Sequence, residues 1–136
     1  YRECKISDPI ILSATFELQQ EDPVRIRESV LEIFAWKKSK QPLADTSAGC
    51  AFKNPTLQNG GRVSAGKLID EAGLKGFSIG GATVNSQHAN FVTTNPHATA
   101  QNVIAVMNEM KRRVFDCSGI ELQREIIVWS RDSESQ

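Results

Sequence analysis

The sequence predicts an α+β fold in which helices pack on one face of a mostly antiparallel sheet. Short apolar or alternating stretches typical of strands are interspersed with two longer segments whose apolar residues recur every three or four positions, as in amphipathic helices. The order lacks the strict strand and helix alternation of parallel α/β folds. The chain has 136 residues, so we expect residues 1–136 to form a single domain.

The first predicted elements are a strand and an amphipathic helix. The strand runs from Pro9 to Leu18, an apolar run that ends in alternation between apolar and polar residues. Asp22-Pro23 then predicts a helix start, because an acceptor side chain precedes a proline at the first helical position. The helix ends before Pro42. Its last turn contains lysines, the last of them Lys40, and the helix dipole favours positive charge at this end.

The middle of the chain predicts a loop, a short helix and a group of short strands. The stretch from Leu43 to Ser47 is polar and breaks the periodicity, so the Ser47 to Pro55 segment is predicted to lie on a loop or a short strand, and Asn59-Gly60-Gly61 predicts a turn. Ser64 can cap a short helix that runs through Ala72. Short apolar stretches around a Gly80-Gly81 turn predict two or three strands. Two of these strands are Phe77 to Ile79 and Ala82 to Val84, and Ala89 to Thr93 extends or follows the second one.

The last predicted elements are a long helix and a strand. Thr99 can cap a helix whose apolar residues, from Val103 to Val114, recur at three and four positions. Gly119 can end it in a left-handed conformation. The apolar residues between Ile120 and Val128 predict a final strand that carries Glu125.

The charge balance and cysteine usage exclude several classes of protein. Sixteen basic and sixteen acidic residues cancel, so no global field draws the chain to nucleic acid or to a membrane surface. No apolar run is long enough for a membrane span, and two histidines and three cysteines give no metal-ligand spacing. The cysteines form no Cys-x-x-Cys pair, which favours a reducing compartment. Because the chain begins with Tyr1 and not Met, we expect it to be part of a longer polypeptide.

The segment from Ser47 to Pro55 combines small residues, a thiol, an aromatic ring, a cation and an amide. Such a mixture buries little apolar surface but can bind a polar ligand, since Lys53 and Asn54 offer donors beside an approachable Cys50. A surface loop with a half-buried cysteine is the alternative interpretation.

Two other patterns have alternative interpretations. Gly61 to Lys67 resembles a nucleotide-triphosphate-binding loop, but Leu68 replaces the Ser or Thr that holds magnesium, so an ordinary helix start is favoured. Cys50 and His88 are conceivable partners in a Cys-His hydrolase, although nothing in the sequence specifically supports this.

Several motifs together resemble the UDP-N-acetylenolpyruvoylglucosamine reductases (UDP-N-acetylmuramate dehydrogenases). Each motif is short, but their order and spacing match the family along nearly the whole chain. The motifs are Tyr1-Arg2, Lys40-Gln41-Pro42-Leu43, Ser47 to Pro55, Ala65 to Gly76, Gly80-Gly81-Ala82, Asn85 to Phe91, and Gly119 to Leu122 with Glu125.

The resemblance implies a C-terminal substrate-binding region of a cytoplasmic bacterial flavoenzyme of peptidoglycan synthesis. Its substrate would be UDP-N-acetylglucosamine enolpyruvate, and its partners the flavin-binding domains of the same polypeptide, with no nucleic acid, membrane or metal. The parent enzyme would use FAD and NADPH, neither of them bound by this chain alone. A nucleotide-sugar-binding or protein-interaction module without redox activity remains the alternative function.

The resemblance also assigns roles to individual residues. Cys50 takes the position of the proton donor, which is a serine in many members, and Glu125 takes that of the active-site glutamate. A glutamate that simply faces solvent is the alternative for Glu125. The candidates for binding the substrate are Tyr1, Arg2, Lys40, Asn54, Gln87 and His88, the last two because polar residues interrupt an apolar region there.

Overall fold

The computed structural model describes residues 10–58 and 60–129, which fall into two compact units, residues 10–33 and residues 34–129. Asn59, the first residue of the predicted turn, lies outside the described residues, as do Tyr1 and Arg2. None of the helices in the described ranges combines the length and apolar character that crossing a bilayer needs.

The first unit contains most of helix α1 (Pro23–Lys40) and no strand among its described residues. The predicted strand from Pro9 to Leu18 is therefore wrong over residues 10–18, which are irregular and exposed; Pro9 lies outside the described residues. A strand needs hydrogen-bonded neighbours and a layer that covers its apolar side, and residues 10–33 supply neither. The apolar pattern predicted a strand without showing what would pair with it.

Helix α1 begins and ends where the sequence predicts. The Val24 backbone N–H donates to Asp22 Oδ1 at 2.8 Å, so Asp22 is the N-cap and Pro23 the first helical residue. Lys37, Lys38 and Lys40 occupy the last turn. No residue of the helix is buried within the described part of the chain.

The second unit is built on a four-stranded antiparallel sheet with the order β1-β4-β3-β2. The strands are β1 (Ser47–Cys50), β2 (Ser78–Ile79), β3 (Ala82–Val84) and β4 (Phe91–Thr94). Helix α3 (Ala100–Ser118) packs against β2, β3 and β4, and the short helix α2 (Ala65–Glu71) packs against α3. The predicted α+β class with an antiparallel sheet is confirmed.

The helix ends of this unit follow the predicted signals. Thr99 and Asn102 form a capping box at the start of α3, and Gly119 ends that helix with φ of 68°. Ser64 accepts a hydrogen bond from the Lys67 N–H at the start of α2. The core between sheet and helices includes Phe52, Ile69, Leu74, Val84, Val106, Met107, Met110, Val114 and Leu122.

The predicted last strand is wrong: residues 120–128 form only one isolated antiparallel bridge, between Phe52 and Arg124. Lys53 N–H donates to the Gln123 carbonyl, and Glu125 N–H donates to the Ala51 carbonyl, both at 2.9 Å. Toward Pro55 the pairing ends because proline has no N–H to donate and its carbonyl accepts from the Val63 N–H instead.

Gly81 lies where the β2-β3 turn meets the chain before α3. A Cβ at this position would lie 2.5 Å from the Ala98 backbone nitrogen and also against Asn95 Oδ1. We expect Gly81→Ala to lower the free energy of unfolding by about 3 kcal/mol, because backbone must move to admit the methyl group. Urea denaturation measures this change.

The control for Gly81→Ala is Gly119→Ala. Gly119 has a positive φ but nothing within 4 Å of its Cβ position, so this variant reports the backbone cost alone, about 1 kcal/mol. Equal losses of stability in the two variants would contradict the close contact at Gly81.

Candidate functional site

Cys50 is the last residue of β1 and is half-buried, opposite Phe91 of β4. The register between β1 and β4 is irregular before it, and Gly49 adopts a φ of 85°, which favours glycine. The thiol therefore lies where the chain leaves the regular sheet. The sequence predicted this position on a loop or short strand.

The residues after Cys50 are held by Asn90. Asn90 lies directly before β4, and its residue is only 3% exposed. Its Oδ1 accepts from the Phe52 N–H at 3.0 Å, and its Nδ2 donates to the Phe52 carbonyl at 2.8 Å. The Asn90 carbonyl also accepts from the Ala51 N–H at 2.7 Å. We call these three hydrogen bonds the Asn90 clamp.

Glu125 reaches the same segment from the other side. Its backbone N–H donates to the Ala51 carbonyl, so the backbone of Glu125 is hydrogen-bonded to the residue that follows Cys50. Glu125 is half-buried, which disfavours the alternative of a fully solvent-facing glutamate. The structure thus brings the two predicted catalytic residues onto neighbouring backbone segments.

Gln87 and His88 lie on the connection between β3 and β4, which buried Asn85 shapes. Asn85 Oδ1 accepts from the N–H groups of Gln87 and His88 at 2.8 and 3.0 Å, and its Nδ2 donates to Asp45 Oδ2. Gln87 Nε2 donates to the Lys38 carbonyl at 3.1 Å, at the C-terminal end of α1. This contact brings the connection close to the helix that ends in Lys40.

A cleft of about 240 Å³ opens beside these two residues; we call it the Gln87–His88 cleft. It is lined by Ser64, Gly66, Lys67, Asp70, Lys75, Gln87, His88 and Ala89. Lys67 pairs with Glu71 at 3.6 Å, and Lys75 pairs with Asp70 at 2.6 Å. An anionic ligand in this cleft would compete with carboxylates for both lysines.

His88 connects this cleft to the clamp. Its Nδ1 accepts from the Asn90 N–H at 3.3 Å, and its Cε1 lies 3.3 Å from the position that a Cβ on Gly66 would occupy. Burial lowers the pKa of His88 from its ordinary value of 6.5, and the charge of Lys75 acts in the same direction, against an opposing hydrogen bond with its own backbone. A neutral ring suits the contact, since a protonated Nδ1 could not accept from Asn90.

The structure gives a definite position to two of the other residues that are predicted to bind the substrate. Asn54 Oδ1 accepts from the Ala65 N–H at 2.9 Å and so helps to cap α2, which leaves its amide nitrogen for a ligand. Lys40 is exposed at the end of α1. The predicted roles of Tyr1 and Arg2 concern residues outside the described part of the chain.

The resemblance to a nucleotide-triphosphate-binding loop at Gly61 to Lys67 has a structural explanation. The first amides of α2 donate to side chains, Ala65 to Asn54 and Lys67 to Ser64. These residues form a capped helix start, as the sequence favoured.

Sequence reasoning missed Asn90 as an individual residue. Asn90 lies within the Asn85 to Phe91 motif, but only Gln87 and His88 were predicted to bind the substrate, because polar residues interrupt an apolar region there. The available signal was a polar residue directly before an apolar strand, flanked by Ala89 and Phe91, which indicates a buried group that needs partners.

Comparisons with known proteins agree on one family. Residues 41–129 match the model described as UDP-N-acetylenolpyruvoylglucosamine reductase, C-terminal domain. The reductase of Heliobacterium modesticaldum is 41% identical over 119 residues, 88% of this chain and 37% of that protein. The reductase of Syntrophus aciditrophicus is 38% identical over 133 residues, 97% of this chain and 41% of that protein.

A solved structure shares the fold. The crystal structure of the UDP-N-acetylenolpyruvylglucosamine reductase from Thermus caldophilus superposes with a TM-score of 0.65 at 35% identity, over 84% of this chain and 38% of the other. The chain spans about two fifths of the length of the relatives that it matches.

The lowered pKa of His88 predicts a pH dependence of stability. Below pH 6.5 the unfolded chain binds a proton at this histidine before the folded chain does, so the contribution is present above 6.5 and is lost as pH falls through the folded pKa. We expect the wild-type chain to lose more stability on acidification than His88→Gln, whose side chain stays neutral. Urea denaturation across this pH range tests the difference, and identical pH slopes would contradict it.

Proposed function

The chain belongs to the UDP-N-acetylenolpyruvoylglucosamine reductase family, as its C-terminal domain, and on this premise we propose that it provides the substrate-binding part and the proton donor of that reductase. The reaction reduces UDP-N-acetylglucosamine enolpyruvate to UDP-N-acetylmuramate in bacterial peptidoglycan synthesis, in the cytoplasm. The observation that carries the proposal is the hydrogen bond that joins Glu125 to the residue after Cys50.

The proposed enzyme needs more than this chain. The relatives are about two and a half times as long, and we assign FAD and NADPH to other domains of the same polypeptide. No Gly-x-Gly-x-x-Gly turn for a dinucleotide occurs in the sequence, and no residue of this chain is assigned to either cofactor. Bound and reduced, FAD would supply the hydride that adds to C3 of the enolpyruvyl group.

Cys50 is the proposed proton donor to C2. Once C3 carries the hydride, C2 holds an electron pair, and the transfer breaks the S–H bond of Cys50 and forms the C2–H bond. Water then reprotonates the thiolate. A thiol, with an ordinary pKa of about 8.5, gives up a proton far more readily than the serine hydroxyl of many family members. The cost is sensitivity to oxidation.

Glu125 is proposed to act at the same carbon from the opposite backbone segment. Its carboxyl group would polarise the enolpyruvyl group or assist the protonation of C2. Support comes from its partial burial and from its place beside Ala51. A carboxylate fixed by a paired backbone keeps its orientation better than one on a loose tail.

The UDP part of the substrate is proposed to bind near the end of α1 and the β3-β4 connection. Lys40 offers charge to the diphosphate, and the Asn54 amide nitrogen can donate to a phosphate or to the uracil edge. Gln87 and His88 line their cleft, and Tyr1 and Arg2 complete the proposed set. The contact from Gln87 to the Lys38 carbonyl supports a common site for these groups.

The binding proposal predicts that Lys40→Ala and Asn54→Ala each weaken the affinity of the full-length enzyme for UDP by about tenfold, the loss expected for one charge-assisted or amide hydrogen bond. Isothermal titration calorimetry measures the dissociation constants. Lys111→Ala removes one positive charge elsewhere, and Thr99→Ala removes the cap of α3. Losses as large in these two controls would contradict specific binding by Lys40 and Asn54.

The catalytic proposal predicts that Cys50→Ala lowers kcat of the full-length enzyme by about a hundredfold or more, with Cys50→Ser retaining part of the activity. The oxidation of NADPH in the presence of the enolpyruvyl substrate measures the rate. Cys117→Ser, which changes an exposed thiol on α3, is the control and should leave kcat unchanged. Full activity of Cys50→Ala would refute Cys50 as the proton donor.

A further inference from the structure

We propose that Asn90 is a positioning residue, whose carboxamide acts as a substitute peptide group that fixes the backbone after Cys50. The effect of Asn90 on the reaction rests on the proposed function, whereas the hydrogen-bond geometry of Asn90 does not. The residue is not one of those that the sequence singled out for the site.

The first observation is a complete set of backbone partners. Ala51 and Phe52 are 0% and 1% exposed, so their four backbone polar groups cannot be left without hydrogen bonds at low cost. Asn90 supplies three of them: its carbonyl takes the Ala51 N–H, and its side chain takes both groups of Phe52. Glu125 supplies the fourth, through its N–H to the Ala51 carbonyl.

The second observation is the position of these hydrogen bonds relative to the sheet. β4 starts at Phe91 and β1 ends at Cys50, and one more backbone hydrogen bond, from the Ala51 N–H to the Asn90 carbonyl, follows before pairing between the two backbones stops. The Asn90 side chain offers Phe52 the acceptor and donor that a strand backbone would otherwise provide. The segment after Cys50 can therefore separate from β4 and pair with residues 123–125, and the backbone N–H and carbonyl of Phe52 still have hydrogen-bond partners.

The third observation is that Asn90 is itself held in place. Its residue is 3% exposed, its N–H donates to His88 Nδ1, and its Cβ lies 3.6 Å from the position of a Cβ on Gly66 in α2. A buried carboxamide with fixed surroundings positions what it binds. Its effect on the thiol therefore depends on having one donor and one acceptor, and not on size alone.

A thiol-reactivity experiment on this chain tests the proposal. In a background with Cys4→Ser and Cys117→Ser, Cys50 is the remaining thiol, and dithiodipyridine reports its rate constant from about pH 4.5 to about pH 8. Each variant is divided by the background protein at the same pH, so that the ratio reports the effect of the substitution. Circular dichroism verifies the fold of each variant.

The variants separate chemistry from size. Asn90→Asp keeps the shape, but its ionised carboxylate cannot donate to the Phe52 carbonyl. We expect about a tenfold faster reaction of Cys50 near pH 8, because the loosened segment exposes the thiol. Burial at this position raises the pKa of the introduced carboxyl group above its ordinary value of about 3.9, so the group becomes protonated toward about pH 4.5 and donates again, and the rate returns to within about twofold of the background. Asn90→Ala should react faster at every pH.

Asn102→Ala is the control, since the Asn102 carboxamide also accepts from a backbone N–H, that of Thr99 at the start of α3, but bonds neither Asn90 nor the Cys50 segment. It should stay within about twofold of the background. The proposal is overturned if Asn90→Asp reacts at the background rate near pH 8, or if its difference does not shrink at acid pH. Since this decision rests on Asn90→Asp, it stands even if Asn90→Ala does not fold.

A second measurement separates this proposal from the proposed function. In the full-length enzyme, Asn90→Asp should lower kcat about tenfold near pH 8 with less than a twofold change in KM, and recover relative to wild type at lower pH. If the wild-type enzyme has no reductase activity but the thiol rates are as expected, the proposed function is refuted and the Asn90 clamp is not. An active enzyme with unchanged thiol rates in Asn90→Asp would refute the clamp alone.

Discussion

The structure around Cys50 depends on hydrogen bonds to two buried residues. Ala51 and Phe52 lie in the core, yet their backbone must leave the sheet at that point, which puts four polar groups in an apolar setting. Each unsatisfied group would cost about 1–3 kcal/mol, a large share of the stability of a small domain. The Asn90 clamp and the Glu125 N–H together remove that cost, and in doing so they bring the candidate thiol and carboxylate to neighbouring segments.

The same short connection serves both ends of the proposed site. Asn85 shapes its beginning, Gln87 and His88 line the cleft in its middle, and Asn90 holds the Cys50 segment at its end. His88 accepts from the Asn90 N–H, so a ligand that contacts this histidine is one hydrogen bond away from the clamp. The proposed substrate contacts and the placement of the thiol thus share one stretch of backbone, as a site on a fixed scaffold requires.

The sequence predicted the elements whose signals are local. Asp22-Pro23, Ser64, Thr99 and Gly119 begin or end helices through their own hydrogen bonds or backbone freedom, and the structure has them in these roles. Residues 10–18 and 120–128 were predicted as strands and are not, because a strand also needs a partner. The apolar pattern of the first segment shows no partner, and Pro55 ends the pairing of the second.

The candidate site was predictable in part for the same reason. Cys50 and Glu125 follow from motifs in the sequence, and the structure brings their segments together. Asn90 could not be separated from its neighbours, because its partners at Phe52 lie 38 positions away and only the folded chain brings them into contact. The capping bond from Asn54 to Ala65 likewise joins residues that no local pattern connects.

Amide hydrogen exchange of this chain, followed residue by residue by NMR, tests the central claim most directly. If the clamp holds the segment after Cys50, the N–H groups of Ala51 and Phe52 are protected about as strongly as those in the buried part of α3, such as Met110. Exchange at Phe52 as fast as at exposed loop residues such as Ser86 would contradict the account.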